Sequence, residues 1–198
     1  RNRTMRLMTL ALLLLIPVAA YGQTAAPAQT AKPTPNEAKT TLETFQAKTG
    51  VVIVKGFSRL GTMRGIGGTV EVSSREFTDA QTGKKAYGIV VEVRESGRLE
   101  RSNRSYVDYE EIDSLVKGID YIAKMDNTVT KMDSFEAQYS TKGDLSITVF
   151  NDAEGLQVGI TTGKIGAVSA FFKLSELPSF RKLLTDAKLR IDAIRTGA

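Results

Sequence analysis

The chain has 198 residues, of which 27 are basic and 22 acidic, and it contains no cysteine, histidine or tryptophan. Without cysteine it has no disulfide, no thiolate nucleophile and no cysteine-ligated metal. Without histidine it has no Ser-His-Asp triad, and it lacks the commonest general base and transition-metal ligand. We therefore predict that the protein is not an enzyme, needs no cofactor and has no metal site.

The first 22 residues have the pattern of a secretory signal peptide. Three arginines lie around Met5, a predominantly apolar run extends from Leu7 to Ala20, and Ala20-Tyr21-Gly22 has the small residues of a cleavage site. The apolar run is too short to cross about 30 Å of hydrocarbon, which takes roughly 20 residues. We expect residues 1–22 to be an N-terminal extension and cleaved signal peptide. The protein is then secreted or periplasmic, with no stable membrane insertion after cleavage.

Residues 23–36 read QTAAPAQTAKPTPN, a Pro/Thr/Ala-rich stretch without apolar periodicity, and this composition predicts an extended linker. A single domain is expected over residues 37–198, which is enough chain for a core of its own. At the junction, Asn36 is a candidate cap for a short helix, because Leu42 and Phe45 are spaced for one buried face.

The sequence pattern predicts four strands and a helix in the first half of this domain. Alternating or β-branched apolar residues predict the strands, and the sequences at 79–83 and 95–97 predict turns between them. An apolar stripe with helical spacing predicts a helix over Glu111–Met125, with Asp108 and Glu111 as its capping residues. The four predicted strands are Val51–Met63, Gly68–Phe77, Lys85–Arg94 and Arg98–Tyr109.

The second half repeats this plan, with pseudo-repeats at about 51–125 and 135–195. At the two strand-to-helix junctions, Glu111–Leu115 aligns without gaps with Glu176–Phe180. We predict an α+β fold, mostly antiparallel sheet in two tandem ββββα halves, with the helices packed on the sheets. The second half comprises strands Phe135–Thr141, Asp144–Asn151, Leu156–Thr162 and Val168–Lys173 and a helix over Pro178–Ile194. The sheet residues predicted to be buried are Val52, Val54, Val70, Val72, Val90, Ile147, Val149, Val158 and Ile160.

An aromatic strand end that runs into an acidic helix start occurs in both halves. In the first half it is Tyr106–Ile112, which continues into the apolar positions Leu115 and Ile119, and in the second it is Phe171–Leu177. Together with the element order, these segments resemble the Whirly and PUR-type single-stranded nucleic-acid-binding folds. The resemblance implies curved sheets with helices that pack behind them or mediate assembly. The lysine-glycine-lysine strand motif of Whirly proteins is absent, so the resemblance bears on topology and does not by itself define function.

Two further motifs have structural interpretations. Ser114–Lys117 and Ser179–Lys182 match the S-x-x-K sequence of penicillin-binding enzymes, but K-T-G at 48–50 precedes them and the third motif of that family is missing. We interpret both as surface residues of helices. Four carboxylates at positions 108–113 are of the kind that bind calcium, but they lack EF-hand spacing. We interpret them as residues that favour a helix N-terminus.

The candidate ligand-binding residues lie on the hairpin between the third and fourth predicted strands. Arginine side chains recognise phosphate and carboxylate groups, and a nearby tyrosine offers a ring for stacking. The alternative interpretation is that these charges keep an exposed sheet surface soluble and its edge unpaired. The candidates are Arg94, Arg98, Arg101, Arg104 and Tyr106.

Because strands and core are well patterned and no catalytic signature is found, we predict an exported non-catalytic binding or structural protein. Its partner is then an unknown protein, an envelope component or a small apolar ligand held between the halves. The alternative is a single-stranded nucleic-acid or polyanion-binding module, which the fold resemblance and the arginine hairpin favour. Salt dependence distinguishes the two, since polyanion affinity falls steeply as the salt concentration rises.

Overall fold

Two antiparallel four-stranded sheets, each followed by a helix, form the part of the chain that the structure describes. The structure is a computed structural model and describes residues 39–98 and 100–197. The predicted signal peptide, the predicted linker and the candidate cap Asn36 lie outside the described residues. Within the described ranges, no helix is both long and apolar enough to cross a membrane. The elements are α1 (Thr41–Ala47), β1 (Ile53–Gly65), β2 (Gly68–Asp79), β3 (Lys85–Glu95), β4 (Ser102–Asp108), α2 (Ile112–Ile122), β5 (Glu136–Ser140), β6 (Leu145–Asp152), β7 (Gly155–Thr162), β8 (Val168–Lys173) and α3 (Leu177–Thr196).

This element order confirms the predicted α+β fold of two tandem ββββα halves. Each sheet is a simple meander, with β1 to β4 in order in the first sheet and β5 to β8 in the second. In each half the last strand leads through a three-residue 3₁₀ turn into the helix, over Tyr109–Glu111 before α2 and over Leu174–Glu176 before α3. These two turns end at Glu111 and Glu176, the first residues of the two aligned segments.

Strand alternation directs one set of apolar side chains from each sheet into a common core. Successive residues of a strand point to opposite faces, so every second residue of the central strands is buried there. The helices α2 and α3 each contribute one apolar stripe to the same core. Its members include Val70, Val72, Ile89, Val91, Val93, Ile119, Ile147, Val149, Val158, Ile160, Phe180 and Leu184.

Three of the predicted core residues differ from expectation. Val52 and Val54 are 63% and 56% exposed, so the prediction that they are buried is wrong. They lie before and near the start of β1, an edge strand with a neighbour on one side only. Val90 is buried as predicted, but on the opposite face of β3 from the core, where it lies between Ser73 and Tyr106.

The short helix α1 covers one end of that opposite face, which we call the outer face of the first sheet. Leu42 and Phe45 pack there against apolar side chains of β2 and β3 in a second, smaller cluster. Thr40 and Glu43 form a capping box at the start of α1. The N–H of Glu43 donates to Oγ1 of Thr40 at 3.1 Å, and Oε2 of Glu43 accepts from the N–H of Thr40 at 2.8 Å.

The predicted capping of the second helix by Asp108 and Glu111 is wrong. Neither side chain bonds to the first turn of that segment. The carboxylate of Asp108 instead accepts from the N–H groups of Thr41 and Leu42, at 2.8 and 3.2 Å. Oε1 of Glu111 accepts from the N–H of Lys142 at 2.9 Å. The first amides of α1 attract Asp108 because the N-terminus of a helix has unpaired N–H groups and a partial positive charge.

Candidate functional site

The open part of the outer face of the first sheet has a dense set of charged residues. The register places Arg75 opposite Phe57. It places Glu92 between Glu71 on one side and Arg104 on the other. Directly opposed residues of an antiparallel pair point to the same face, so these side chains lie next to one another. We call this surface the arginine face; its charged members include Arg59, Arg64, Arg75, Arg94, Arg104, Glu71 and Glu92.

A buried carboxylate, Glu92, positions two of the arginines. Glu92 is only 5% exposed, and its Oε2 accepts a 2.6 Å hydrogen bond from Nε of Arg104. Nη2 of Arg94 lies 2.7 Å from the other carboxylate oxygen, Oε1, but out of line for a hydrogen bond. The hydrogen bond to Glu92 raises the pKa of Arg104 above its ordinary value. Glu92 therefore holds both guanidinium groups on the outer face of the sheet.

Glu71, the other glutamate of the arginine face, lies directly opposite Glu92 in the pairing of β2 with β3. Two like charges in directly opposed positions repel each other. Nε of Arg59 lies 3.2 Å from Oε1 of Glu71 and offsets part of this repulsion. The arginines therefore offset the negative charge of Glu71 and Glu92. Because the arginines outnumber the two glutamates, the arginine face keeps an excess of positive charge.

Arg75 is held differently from its neighbours. Its guanidinium stacks on the ring of Phe57, with 4.8 Å between the guanidinium carbon and the ring centroid. Burial lowers the pKa of Arg75 below its ordinary value, and the nearby Arg104 contributes to the lowering. Its Nε is buried and has no hydrogen-bond partner among the described residues. A buried N–H group without a partner is energetically unfavourable, so a ligand acceptor that reaches it forms a stabilising hydrogen bond.

The structure separates the five residues predicted as a ligand-binding hairpin. Arg94 and Arg104 lie on the arginine face, one on each side of the loop. Arg98 and Arg101 lie in the exposed loop, since β4 begins at Ser102 and not at the predicted position 98. Nε of Arg101 donates a 2.6 Å hydrogen bond to Glu95, at the end of β3. The loop arginines are thus beside the arginine face and not within it.

Tyr106, predicted as a stacking platform, is half-buried beside α1. Its hydroxyl donates a 2.8 Å hydrogen bond to Oε1 of Gln46. The ring also packs against the small apolar cluster that α1 covers. Phe57, at 60% exposure, is the aromatic side chain that the arginine face presents to solvent.

Three of the arginines on this face come from β1 and β2 and were not among the candidates. Strict alternation would put Arg59 and Arg64 on opposite faces, because five positions separate them. A β-bulge between Arg59 and Gly61 shifts the register by one residue, so both arginines point outwards. Leu60 occupies the extra position and packs against the core. Only the register of β1 against β2 shows that Arg59 and Arg64 lie on the same face.

Three of the acidic residues at 108–113 contact different parts of the protein. Asp108 is bonded to α1 and Glu111 to the loop before β6, while Asp113 lies 3.6 Å from Nζ of Lys188. Among the described residues, no group of three or more carboxylates is arranged to hold a metal ion.

A scan against protein-family models gives no match for this chain, and a search of curated protein sequences gives none either. A function must therefore be inferred from the residues and their geometry.

Proposed function

We propose that the protein is a non-catalytic binding protein whose arginine face recognises a polyanion, a polymer with repeated phosphate or carboxylate groups. The observation that carries the proposal is the convergence of arginines from all four strands on one open sheet face. Arginine is suited to this role because its planar fork of N–H groups matches both anions and its charge persists at every physiological pH. The fold resemblance stated above is consistent with binding on a sheet face.

The extent of the arginine face favours a polymer over a small anion. Its arginines lie on β1, β2, β3 and β4, so they span three inter-strand spacings of about 4.8 Å each, or roughly 14 Å. A single phosphate reaches only two or three of these groups. Successive anionic groups of an extended chain reach all of them and release condensed counterions as they do so.

The internal contacts of the face favour recognition over solubility alone. Glu92 holds Arg94 and Arg104 in defined positions, which reduces the conformational entropy that they lose on binding. Neither Arg64 nor Arg75 forms an ion pair with a described carboxylate. These two arginines supply positive charge that no ion pair with a described residue offsets.

Titration with two polymers tests the proposal. Fluorescently labelled alginate oligomers supply carboxylates, as an envelope or extracellular polysaccharide does, and a labelled dT20 oligonucleotide supplies phosphates. We expect one of them to bind, with an affinity that falls steeply between 50 and 300 mM NaCl. The polymer that binds more tightly at equal salt identifies the source of the anion. Absence of binding by both at 50 mM NaCl would show that the arginine face recognises no polyanion.

A charge-matched pair of variants assigns the binding to this face. The test variant Arg59→Ser/Arg64→Ser/Arg94→Ser removes three exposed charges of the arginine face and leaves the hydrogen bond between Arg104 and the buried Glu92 intact. The control variant Lys124→Ser/Lys131→Ser/Lys182→Ser removes three exposed charges elsewhere. We expect the test variant to bind at least about tenfold more weakly at 100 mM NaCl, with a shallower salt dependence, and the control to change little. Equal losses in the two variants would mean that net charge, and not this face, determines binding.

A further inference from the structure

The outer face of the second sheet differs in chemistry from the arginine face. One cross-strand row consists entirely of hydroxyl residues, because Ser146 pairs with Ser140 on β5 and with Thr161 on β7, and Thr161 pairs with Ser169 on β8. The adjacent row contains Gln138, Thr148, Gly159 and Phe171. We call this surface the hydroxyl face; the polar residues of these two rows are Gln138, Ser140, Ser146, Thr148, Thr161 and Ser169.

The polar side chains of the hydroxyl face are partly paired with one another. The hydroxyl groups of Thr161 and Ser169 are 2.8 Å apart, and Nε2 of Gln138 donates to Oγ of Ser140 at 2.8 Å. Each hydroxyl has one donor and two acceptor sites, so every member keeps capacity for a ligand. A groove of about 440 Å³ runs over them, lined mainly by these residues. This volume lies in the range of about 300–1,000 Å³ typical of small-molecule sites.

An aromatic platform adjoins the hydroxyl row. Phe171 is 39% exposed and meets Phe150 edge to face, with 6.2 Å between ring centroids. Gly159 lies between their strands, and a Cβ there would come within 3.3 Å of the Phe171 ring. Backbone hydrogen bonds of 2.8 and 3.0 Å join Phe171 to Ile66, in the turn between β1 and β2, and keep this end of β8 in position. The polar groove and the exposed ring of Phe171 thus lie on the same sheet face, with the ring in the row next to the hydroxyl row.

Formal charge is confined to the margins of this surface. Glu136 and Lys173 occupy the outermost positions of the third row, on the two edge strands. Asp144 and Lys164 lie at the end of the groove, and Asp144 is engaged by Nζ of Lys39 at 2.6 Å. An anionic polymer therefore meets no cluster of cations here. A wholly apolar ligand would bury the hydroxyl groups without partners, which costs free energy.

We infer that the hydroxyl face is a second binding site, whose ligand is a neutral oligosaccharide. A sugar ring has hydroxyl groups around its rim and aliphatic C–H groups on its faces. The rim hydroxyls exchange hydrogen bonds with the row of serine and threonine side chains, and a C–H face packs on the ring of Phe171. This site uses no residue of the arginine face, so the test of this inference is independent of the test of the polyanion proposal.

Nuclear magnetic resonance titration of the ¹⁵N-labelled purified protein tests the inference with three neutral probes: cellohexaose, chitohexaose and maltohexaose. We expect at least one of them to shift amide resonances of β5 to β8 selectively, with a dissociation constant that changes less than about twofold between 50 and 500 mM NaCl. Absence of selective shifts with all three at 10 mM would overturn the inference. So would tighter binding of an alginate hexamer to the same strands, or self-association through this face without sugar binding.

Isosteric variants then locate the site. Thr148→Val/Thr161→Val removes two hydroxyl groups and keeps the side-chain shapes, and Thr62→Val/Thr69→Val makes the same change on the first sheet. We expect the first variant to weaken sugar binding at least about tenfold and the second to leave it within twofold. Phe171→Ala, at an exposed ring, is expected to weaken binding similarly and serves as the test if the double variant does not fold. Unchanged affinity in the folded variants would overturn the inference.

Discussion

Oδ1 of Asp108 accepts a 3.2 Å hydrogen bond from the N–H of Leu42, a residue 66 positions earlier in the chain. This contact joins the end of β4 to the start of α1 and fixes the helix over one end of the outer face of the first sheet. Leu42 is fully buried there. The position of α1 therefore determines where the small apolar cluster ends and the open arginine face begins.

Removing this carboxylate is expected to loosen α1. Asp108→Ala leaves the first amides of the helix without an acceptor, and losses of helix capping groups cost about 0.5–2 kcal/mol. We expect a decrease of this size in the free energy of unfolding measured with urea, together with faster amide hydrogen exchange in α1. Asp113→Ala, at an exposed carboxylate, is the control and is expected to change stability little. An equal loss in the control would show that Asp108 has no special role in holding the helix.

Asp79 makes the stability of the fold depend on pH in the acid range. Its pKa is lowered to about 2 by the hydrogen bond from Lys48, and by the N–H groups of Thr82 and Gln81. A carboxyl with a depressed pKa in the folded state contributes stability above its unfolded pKa of about 3.9. That contribution disappears as the pH falls from about 4 towards 2. We expect Asp79→Asn to flatten the pH dependence of the unfolding free energy in this window, and Lys48→Met to do so in part. An unchanged pH profile in Asp79→Asn would contradict the assignment.

Two leucines on α3 that differ in exposure provide a test of the core. Leu184 is fully buried and Leu189 is 60% exposed, although both belong to the same helix. Leu184→Ala is expected to cost about 2–5 kcal/mol through lost burial and the cavity that remains. Leu189→Ala is expected to cost less than about 0.5 kcal/mol. Urea denaturation measures both, and similar values for the two would show that the helix packs on the sheets by another face. Ile119→Ala, on α2, should resemble Leu184→Ala.

Those parts of the fold that depend on local pattern follow from the sequence. The structure confirms β8 at its predicted bounds of Val168–Lys173 and confirms the start of β2 at Gly68. Alternation along a strand and helical spacing are properties of neighbouring residues, so they need no knowledge of the rest of the chain. The turn predicted at 79–83 is also present, with Gly83 at a φ of 69°.

Structural features that depend on contacts between distant residues could not be predicted from the local sequence pattern. The bulge that brings Arg59 and Arg64 to one face exists only in the pairing of β1 with β2. The interaction of Asp108 with α1 joins segments that are far apart in the chain. The prediction therefore found the two arginines of the arginine face that lie on one hairpin, and missed those on the neighbouring strands.

The final prediction concerns the role of Glu92 beneath the arginine face. Glu92→Gln removes a buried negative charge but keeps an oxygen that accepts the hydrogen bond from Nε of Arg104. We expect a loss of about 1–2 kcal/mol in the free energy of unfolding, because a hydrogen bond between two charged groups becomes a weaker one with an uncharged acceptor.

We also expect this variant to bind alginate or dT20 severalfold more tightly, with a steeper salt dependence, because Arg94 and Arg104 no longer share their charge with a carboxylate. Glu154→Gln removes the same charge from an exposed turn and serves as the control. If the affinity of Glu92→Gln falls, the main contribution of Glu92 is to position the arginines. If the affinity matches that of the control, Arg94 and Arg104 do not contact the polyanion, and binding depends on the arginines of β1 and β2.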